Sequence, residues 1–312
     1  MEISKQNYLV HLNKNQKEAI IDLEGPCLIV AGAGSGKTRV LTSRVVHIIK
    51  EKKAWPNQIL CVTFTNKAAR EMQNRIANFL KEKQTSIPWL GTFHSVSAKL
   101  LRRHAEAVGL NSRFTIIDQE DQLRLIKNIC KAENIDIKKI APQFILAFIN
   151  QWKNKGLLPK DVVVKKGLLL ENAILKVYKF YQERLKILNS CDFGDLILHC
   201  VTMFENNSDI LELYLQNFKY ILVDEYQDSN HIQSKWLNLL AKKNNNIRRE
   251  IDLKKEKKVT SELFGGFSDY IVYEGLNLKG WPVKTIVRGE VVADNFEVIG
   301  KLGHGKLVER KI

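Results

Sequence analysis

Cys27-Leu28-Ile29-Val30-Ala31-Gly32-Ala33-Gly34-Ser35-Gly36-Lys37-Thr38 is the stretch on which the fold reading turns. Its start is an unbroken apolar run, the texture of a strand buried on both faces. A glycine-rich turn follows, and a helical pattern opens near Lys37. Strand, turn and helix together make the P-loop pattern in its expected context, with Ala31 in place of the usual first glycine. Glycines at 32, 34 and 36 let the backbone curl until successive N–H groups face one point, and the helix N-terminus adds partial positive charge there. A phosphate chain fits that concavity. Lys37 would reach the β- and γ-phosphates, and the Thr38 hydroxyl would ligate Mg²⁺.

Outward from this turn, three further apolar runs read as strands of the same parallel sheet: residues 59–64, 89–92 and 220–224. Residues 67–79 read as a helix between two of them. Alternating strands and helices mean an α/β fold with right-handed crossovers. The last of these runs, Tyr220-Ile221-Leu222-Val223-Asp224-Glu225, ends in two acids at the C-terminal end of a strand, where ligands bind in open α/β sheets. Asp224 would hold Mg²⁺ through water, and Glu225 would orient and deprotonate an attacking water.

The middle of the chain has a different texture. From about residue 111 to 190 helical patterns dominate. Ile174, Val177, Tyr178, Tyr181, Leu185 and Leu188 recur at three- and four-residue spacing, and Leu123, Ile126, Ile129 and Cys130 mark a second amphipathic face. This predicts an all-helical insertion interrupting the α/β domain. After residue 247 the text changes again, to short β-branched runs broken by glycine at 283–287, 290–293 and 297–299. The expected organisation is therefore 1–110 and 191–247 as the two parts of the α/β domain, 111–190 as the insertion and 248–312 as an unrelated, all-β-like tail.

Composition bounds the partners. The chain has 312 residues with 49 Lys+Arg against 34 Asp+Glu, a formal charge of +15. That balance admits either a polyanionic partner or a well-solvated basic surface. No apolar run is long enough to span a bilayer and the start lacks a signal-peptide pattern, so no membrane role and a cytoplasmic location are expected. The 5 cysteines are scattered without metal-ligand spacing, against a disulfide framework or a zinc site.

Five phrases occur in order: Leu12-Asn13-Lys14-Asn15-Gln16, the 31–38 turn, residues 62–69 (Val-Thr-Phe-Thr-Asn-Lys-Ala-Ala), Gly91-Thr92-Phe93-His94-Ser95 and residues 223–230 (Val-Asp-Glu-Tyr-Gln-Asp-Ser-Asn). Over residues 7–247 the chain resembles the UvrD/Rep/PcrA helicases of superfamily 1. The resemblance implies a RecA-like P-loop ATPase domain split by a helical insertion, in an ATP-dependent, 3′-to-5′ single-stranded-DNA-translocating helicase; DNA repair and replication both stay open as its role. It implies ATP and Mg²⁺ as cofactors and single-stranded or 3′-tailed duplex DNA as partner; oligomeric state is left open. By position, Gln16 resembles the adenine-reading glutamine and Arg39 a nucleotide-contacting arginine beside Ala31, Gly32, Ala33, Gly34, Ser35, Gly36, Lys37 and Thr38. Thr63, Phe64, Thr65 and Asn66, then Thr92, Phe93 and His94, then Phe193 resemble DNA-contacting positions. Taken singly, Phe64 and Phe93 end apolar strands, where burial is the default. Tyr226 and Ser229 stand where the family usually has phenylalanine and threonine.

Beyond residue 247 the resemblance stops. The family's γ-phosphate-sensing motif and its second RecA-like domain have no counterpart in the sequence. Residues 267–275, 280–289 and 303–310 instead resemble the end of dihydropyrimidinase/hydantoinase-type cyclic amidohydrolases, without that family's metal-binding barrel. The expectation is a truncated fusion that is helicase-incompetent on its own; the alternative is a non-catalytic nucleotide- or DNA-binding fragment, or a non-functional fusion product.

Overall fold

The computed structural model describes residues 7–10, 12–23, 29, 35–80, 86–164 and 169–242, and the backbone of 251–258, 277–282, 284–287, 290–294 and 297–298. The chain falls into two compact units, residues 1–47 with 245–312 and residues 48–244.

In the first unit, α1 (Lys14–Ile21) starts at Asn13, whose side chain accepts from the Gln16 amide while the Gln16 side chain accepts from the Asn13 amide. This reciprocal capping box satisfies two amides that a helix start leaves unpaired. At the other end, Arg44 donates to the carbonyls of Ala19 and Asp22, which closes the C-terminal turn. Arg44 belongs to α2 (Lys37–Lys50). The same helix carries Ser43, which donates to the Tyr8 carbonyl at 3.3 Å, and His47, whose Nδ1 shares a 2.8 Å hydrogen bond with the Tyr8 hydroxyl. Tyr8, Ala19 and Asp22 are thus tied to α2 by polar contacts. The expected strand at 27–31 lies, except for Ile29, outside the described residues.

The second unit is built on β1 (Ile59–Thr63), buried at every position. It is followed by α3 (Asn66–Leu80), β2 (Trp89–Thr92) and α4 (Phe93–Arg103). Next come β3 (Thr115–Ile116), α5 (Gln119–Ala132), α6 (Pro142–Asn154), α7 (Leu169–Ile187), β4 (Ser190–Cys191), α8 (Phe193–Asn206), α9 (Ser208–Asn217), β5 (Tyr220–Val223) and α10 (His231–Leu240). The sheet runs β2-β1-β5, with both pairings parallel: Leu60 lies opposite Trp89, and Ile59 opposite Tyr220. Strands 59–64 and 220–224 end one residue earlier than expected, at Thr63 and Val223. The residue that follows β1, Phe64, and the two that follow β5, Asp224 and Glu225, therefore begin loops at the sheet's C-terminal edge.

The helices between β3 and β4 have their own core, in which Ile126, Ile145, Ile149, Ile174, Val177 and Tyr181 are fully buried. The two ends of this segment are clasped by a short parallel ladder, Thr115 opposite Ser190 and Ile116 opposite Cys191. Leu188, expected on the buried face of α7, is 59% exposed because the helix ends at Ile187 and the chain turns. Side-chain periodicity does not carry past a helix terminus.

The tail has all-β backbone pairing. β6 (Ile251–Lys258) pairs antiparallel with β7 (Asn277–Pro282), and β8 (Lys284–Val287), β9 (Glu290–Asp294) and β10 (Glu297–Val298) form an antiparallel meander. β6 lies outside the runs expected as strands, and it carries Lys254, Lys255, Lys257 and Lys258. Strand propensity is weak in such a run, and cross-strand pairing overrides it. Residues 267–275 and 303–310 lie outside the described residues.

Candidate functional site

In the first unit, Gly36 adopts φ +86°, a left-handed conformation that glycine reaches without steric cost. It leads into α2, whose first turn holds no acid and begins Lys37-Thr38-Arg39. A helix N-terminus without carboxylates and with a lysine at its head suits an anion. Gln16 sits over this turn: its Nε2 donates to the Ser35 carbonyl at 2.9 Å and lies 3.4 Å from where a Cβ on Gly36 would be. The capping box fixes that carboxamide, since its Oε1 accepts from the Asn13 amide. Arg39 donates to the Val10 carbonyl at 2.9 Å. Ala31, Gly32, Ala33 and Gly34 lie outside the described residues.

The second unit holds the acids. Asp224 is 6% exposed; its amide continues the β5–β1 ladder to the Val62 carbonyl at 2.9 Å, and its Oδ2 accepts from the Thr63 hydroxyl at 3.3 Å. Burial, with the Asp224 carboxylate adding to it, pushes the neighbouring Cys61 thiol up to about 12. Cys61 therefore stays a neutral packing group beside a carboxylate. Glu225 has φ 50°, ψ 45°, a left-handed conformation that costs a non-glycine residue and that clusters at functional sites. The chain then makes a 3₁₀ turn over Tyr226–Asp228, and Asn230 caps α10. Two carboxylates at the C-terminal end of a parallel strand are hard oxygen donors of the kind Mg²⁺ takes. Among the described residues no larger His/Cys/Asp/Glu group suits a metal, and Mg²⁺ needs none, because substrate phosphates and water complete its shell.

The polar and aromatic candidates divide sharply by burial. Thr63 is buried against Asp224. Thr92 is also buried and caps α4, accepting from the Ser95 amide at 3.1 Å. Phe93 is 1% exposed, with its ring edge-on to Phe64 at 5.4 Å and to Trp236 at 5.9 Å. Its faces are occupied by protein, so no base stacks on it in this arrangement. Thr65 and Asn66 are exposed at the start of α3, where the Thr65 hydroxyl accepts from the Ala68 amide. Phe193 is 54% exposed at the start of α8, and His94 meets its edge at 5.7 Å. Burial lowers the His94 pKa, which keeps the ring neutral at pH 7. The second unit thus brings together Thr63 with Asp224, Phe64 with Phe93, and His94 with Phe193.

The UvrD/REP helicase N-terminal domain family matches residues 12–249 of this chain. The chain belongs to that family. Among curated relatives, it is 46% identical over 248 residues to a probable DNA helicase II homolog of Rickettsia conorii, covering 78% of this chain and 38% of the relative. It is 44% identical over 236 residues to the ATP-dependent DNA helicase PcrA of Leuconostoc citreum, covering 76% and 32%. A third relative, the PcrA helicase of Staphylococcus aureus Mu50, is 43% identical over 239 residues, covering 77% and 33%. The chain thus spans about a third of the length of the relatives it matches. These alignments and the family match leave the amidohydrolase resemblance of the tail without support. No described helix is long and apolar enough to cross a membrane.

Within this UvrD/REP-type unit the structure adds a cluster that sequence reasoning missed. Lys153, at the end of α6, is fully buried with its Nζ 2.6 Å from Asp192 and 2.7 Å from Asp195. Tyr181 also donates to Asp192, at 2.8 Å, and Gln182 donates to Asp195, at 2.9 Å. Asp192 caps α8, accepting from the Asp195 amide, while Asp195 accepts from the Asp192 amide. Burial by itself would lower the Lys153 pKa, but the two carboxylates outweigh it and hold the ammonium above its ordinary value. Burial and the neighbouring Asp195 push Asp192 up; burial also acts to raise Asp195, yet Lys153 holds it below the usual range. Read alone, Trp152-Lys153-Asn154-Lys155 looks like a solvated helix end. The available signal was spacing: Lys153 lies four and eight residues after Ile149 and Ile145, on the buried stripe.

Proposed function

We propose that this chain is the ATP-binding lobe of a 3′-to-5′ helicase that translocates on single-stranded DNA. The P-loop residues 31–38 with Arg39 bind the triphosphate, Lys37 contacting the β- and γ-phosphates and Gln16 reading adenine. Thr38 and Asp224 hold Mg²⁺, which supplies charge neutralisation at the phosphates, and Glu225 positions and deprotonates the attacking water. The DNA path runs over Phe64, Thr65 and Asn66 and over His94 and Phe193. Thr63, Thr92 and Phe93 support it from beneath. Division into a RecA-like domain at 1–110 and 191–247 and an insertion at 111–190 is part of the same proposal, as is cytoplasmic location.

The observation that carries this reading is the acid pair just after β5 at the C-terminal edge of a parallel sheet, Asp224 buried and Glu225 in a left-handed conformation, in a chain that matches the UvrD/REP N-terminal domain. The helicase names of the relatives support it for the longer proteins. Translocation needs two lobes closing on ATP. A trans-acting arginine contributes about 10³–10⁵-fold to phosphoryl transfer. The 312-residue chain by itself therefore binds Mg·ATP and DNA without unwinding. Isothermal titration with Mg·ATP should give saturable heat that Lys37→Ala removes, and a 3′-tailed duplex should stay annealed. Folded protein that gives no heat with Mg·ATP refutes the nucleotide reading, and ATP-driven strand separation that depends on Lys37 refutes the single-lobe reading.

A further inference from the structure

The end of α6 touches two places that the proposed function separates. On one side Lys153 is locked between Asp192 and Asp195, in the first turn of α8, the turn that presents Phe193. The lock is tight: a Cβ on Gly194 would lie 2.9 Å from Lys153 Cδ. On the other side the next residue, Asn154, accepts from Asn230 Nδ2 at 3.1 Å. Asn230 is the N-cap of α10, and between it and the acids the chain is one hydrogen-bonded run. The Asp228 amide donates to the Glu225 carbonyl at 3.0 Å, and the Ser229 amide to the Tyr226 carbonyl at 3.1 Å. Gly156, at φ +79°, brings the turn after α6 against Ile232 of α10, where an added Cβ would lie 3.0 Å from Cδ1.

We propose that Lys153 and Asn154 form a strut that couples the DNA-facing turn at Phe193 to the acid-bearing turn at Asp224 and Glu225. Neither residue touches DNA or nucleotide; both are positioning residues. Rotation of the first turn of α8 when a base stacks on Phe193 must carry Lys153 with it, because a buried ammonium cannot leave its two carboxylates without large cost. Asn154 moves with Lys153 on the same helical turn, and its hydrogen bond pulls on the cap that terminates the acid segment. This inference rests on the proposed nucleotide and DNA binding. By linkage, DNA then alters nucleotide affinity by the same factor as nucleotide alters DNA affinity. One net hydrogen bond supports a factor of roughly two to ten.

The test uses the full chain, a fluorescein-labelled oligo-dT and Mg²⁺ with a non-hydrolysable ATP analogue, in fluorescence anisotropy at one ionic strength. DNA affinity is measured with and without nucleotide for the parent, Asn154→Ala and Asn154→Asp. The aspartate keeps an acceptor oxygen for Asn230; the alanine does not. In the parent and in Asn154→Asp, nucleotide should shift DNA affinity by that factor. In Asn154→Ala the shift should vanish, with each separate affinity and the melting temperature unchanged. Undiminished coupling in Asn154→Ala overturns the strut, as does a parent that binds both ligands with no coupling. A parent that binds neither ligand overturns the proposed function and the strut with it.

Discussion

Replacing Lys153 by methionine keeps the length of the side chain and removes its charge. The two carboxylates then stay buried without a cation. Deleting one partner of a buried ion pair typically costs about 3–5 kcal/mol. The structure argues for the lower end. Asp192 keeps the Tyr181 hydroxyl and the Asp195 amide, and Asp195 keeps Gln182 and the Asp192 amide, so neither carboxylate loses all its donors. About 3 kcal/mol corresponds to a melting temperature lower by roughly 6–12 °C for a unit of this size. The pH response distinguishes this cause from a packing defect. In the parent, Lys153 holds the Asp195 pKa down, so the stability from Asp195 is present above its unfolded value and is lost as pH falls through the folded one. In Lys153→Met the carboxylates have raised pKa values, so folding takes up a proton and the deficit shrinks as pH falls. Urea denaturation followed by circular dichroism from about pH 8 to about pH 5 reads both quantities. Adding Asp192→Asn and Asp195→Asn should recover more than half of the loss, since asparagine is also a good N-cap. A loss under about 1 kcal/mol, or a deficit that does not change with pH, refutes the electrostatic account.

Gly194→Ala should destabilise by about 1–3 kcal/mol in the same urea assay, although alanine is the better helix former, because the new methyl meets a Lys153 stem that its ion pairs hold in place. A gain in stability would mean that the lysine gives way. Phe193→Ala should weaken oligo-dT binding by about 1–3 kcal/mol and leave the melting temperature within error, since the ring is 54% exposed. Phe93→Ala, by contrast, should cost about 3–5 kcal/mol of stability because that ring is core. Equal DNA-binding losses without destabilisation in the two variants would contradict the burial assignment. Burial lowers the pKa of His94, His104 and His199, so the unfolded chain binds more protons near the ordinary value of 6.5. Stability should therefore fall as pH drops through about 6.5 toward 5, and His199→Gln should flatten that slope. A pH-independent melting temperature over that range would show that these histidines titrate alike in both states.

The α/β texture, the run of helices between β3 and β4 and the acids at the end of β5 could be read from order and spacing, because strand runs, turn glycines and helical periods are local properties of the chain. The same local rules place α3 within one residue of its observed start and find the buried face of α7 up to Leu185. They point to burial for Phe93, after an apolar strand, but not to what covers it, and they leave the exposure of Phe193 open. Both open a helix, and only the packing of α4 against Trp236 makes one core and leaves the other on the surface. Nor could they show that Lys153 is buried, since its partner Asp192 lies 39 residues away and an isolated lysine belongs in water. Burial of a charge becomes tolerable only where several distant segments bring compensating groups to one point. That convergence exists in the folded state alone: sequence periodicity assigns side chains to faces, and tertiary packing decides which faces meet.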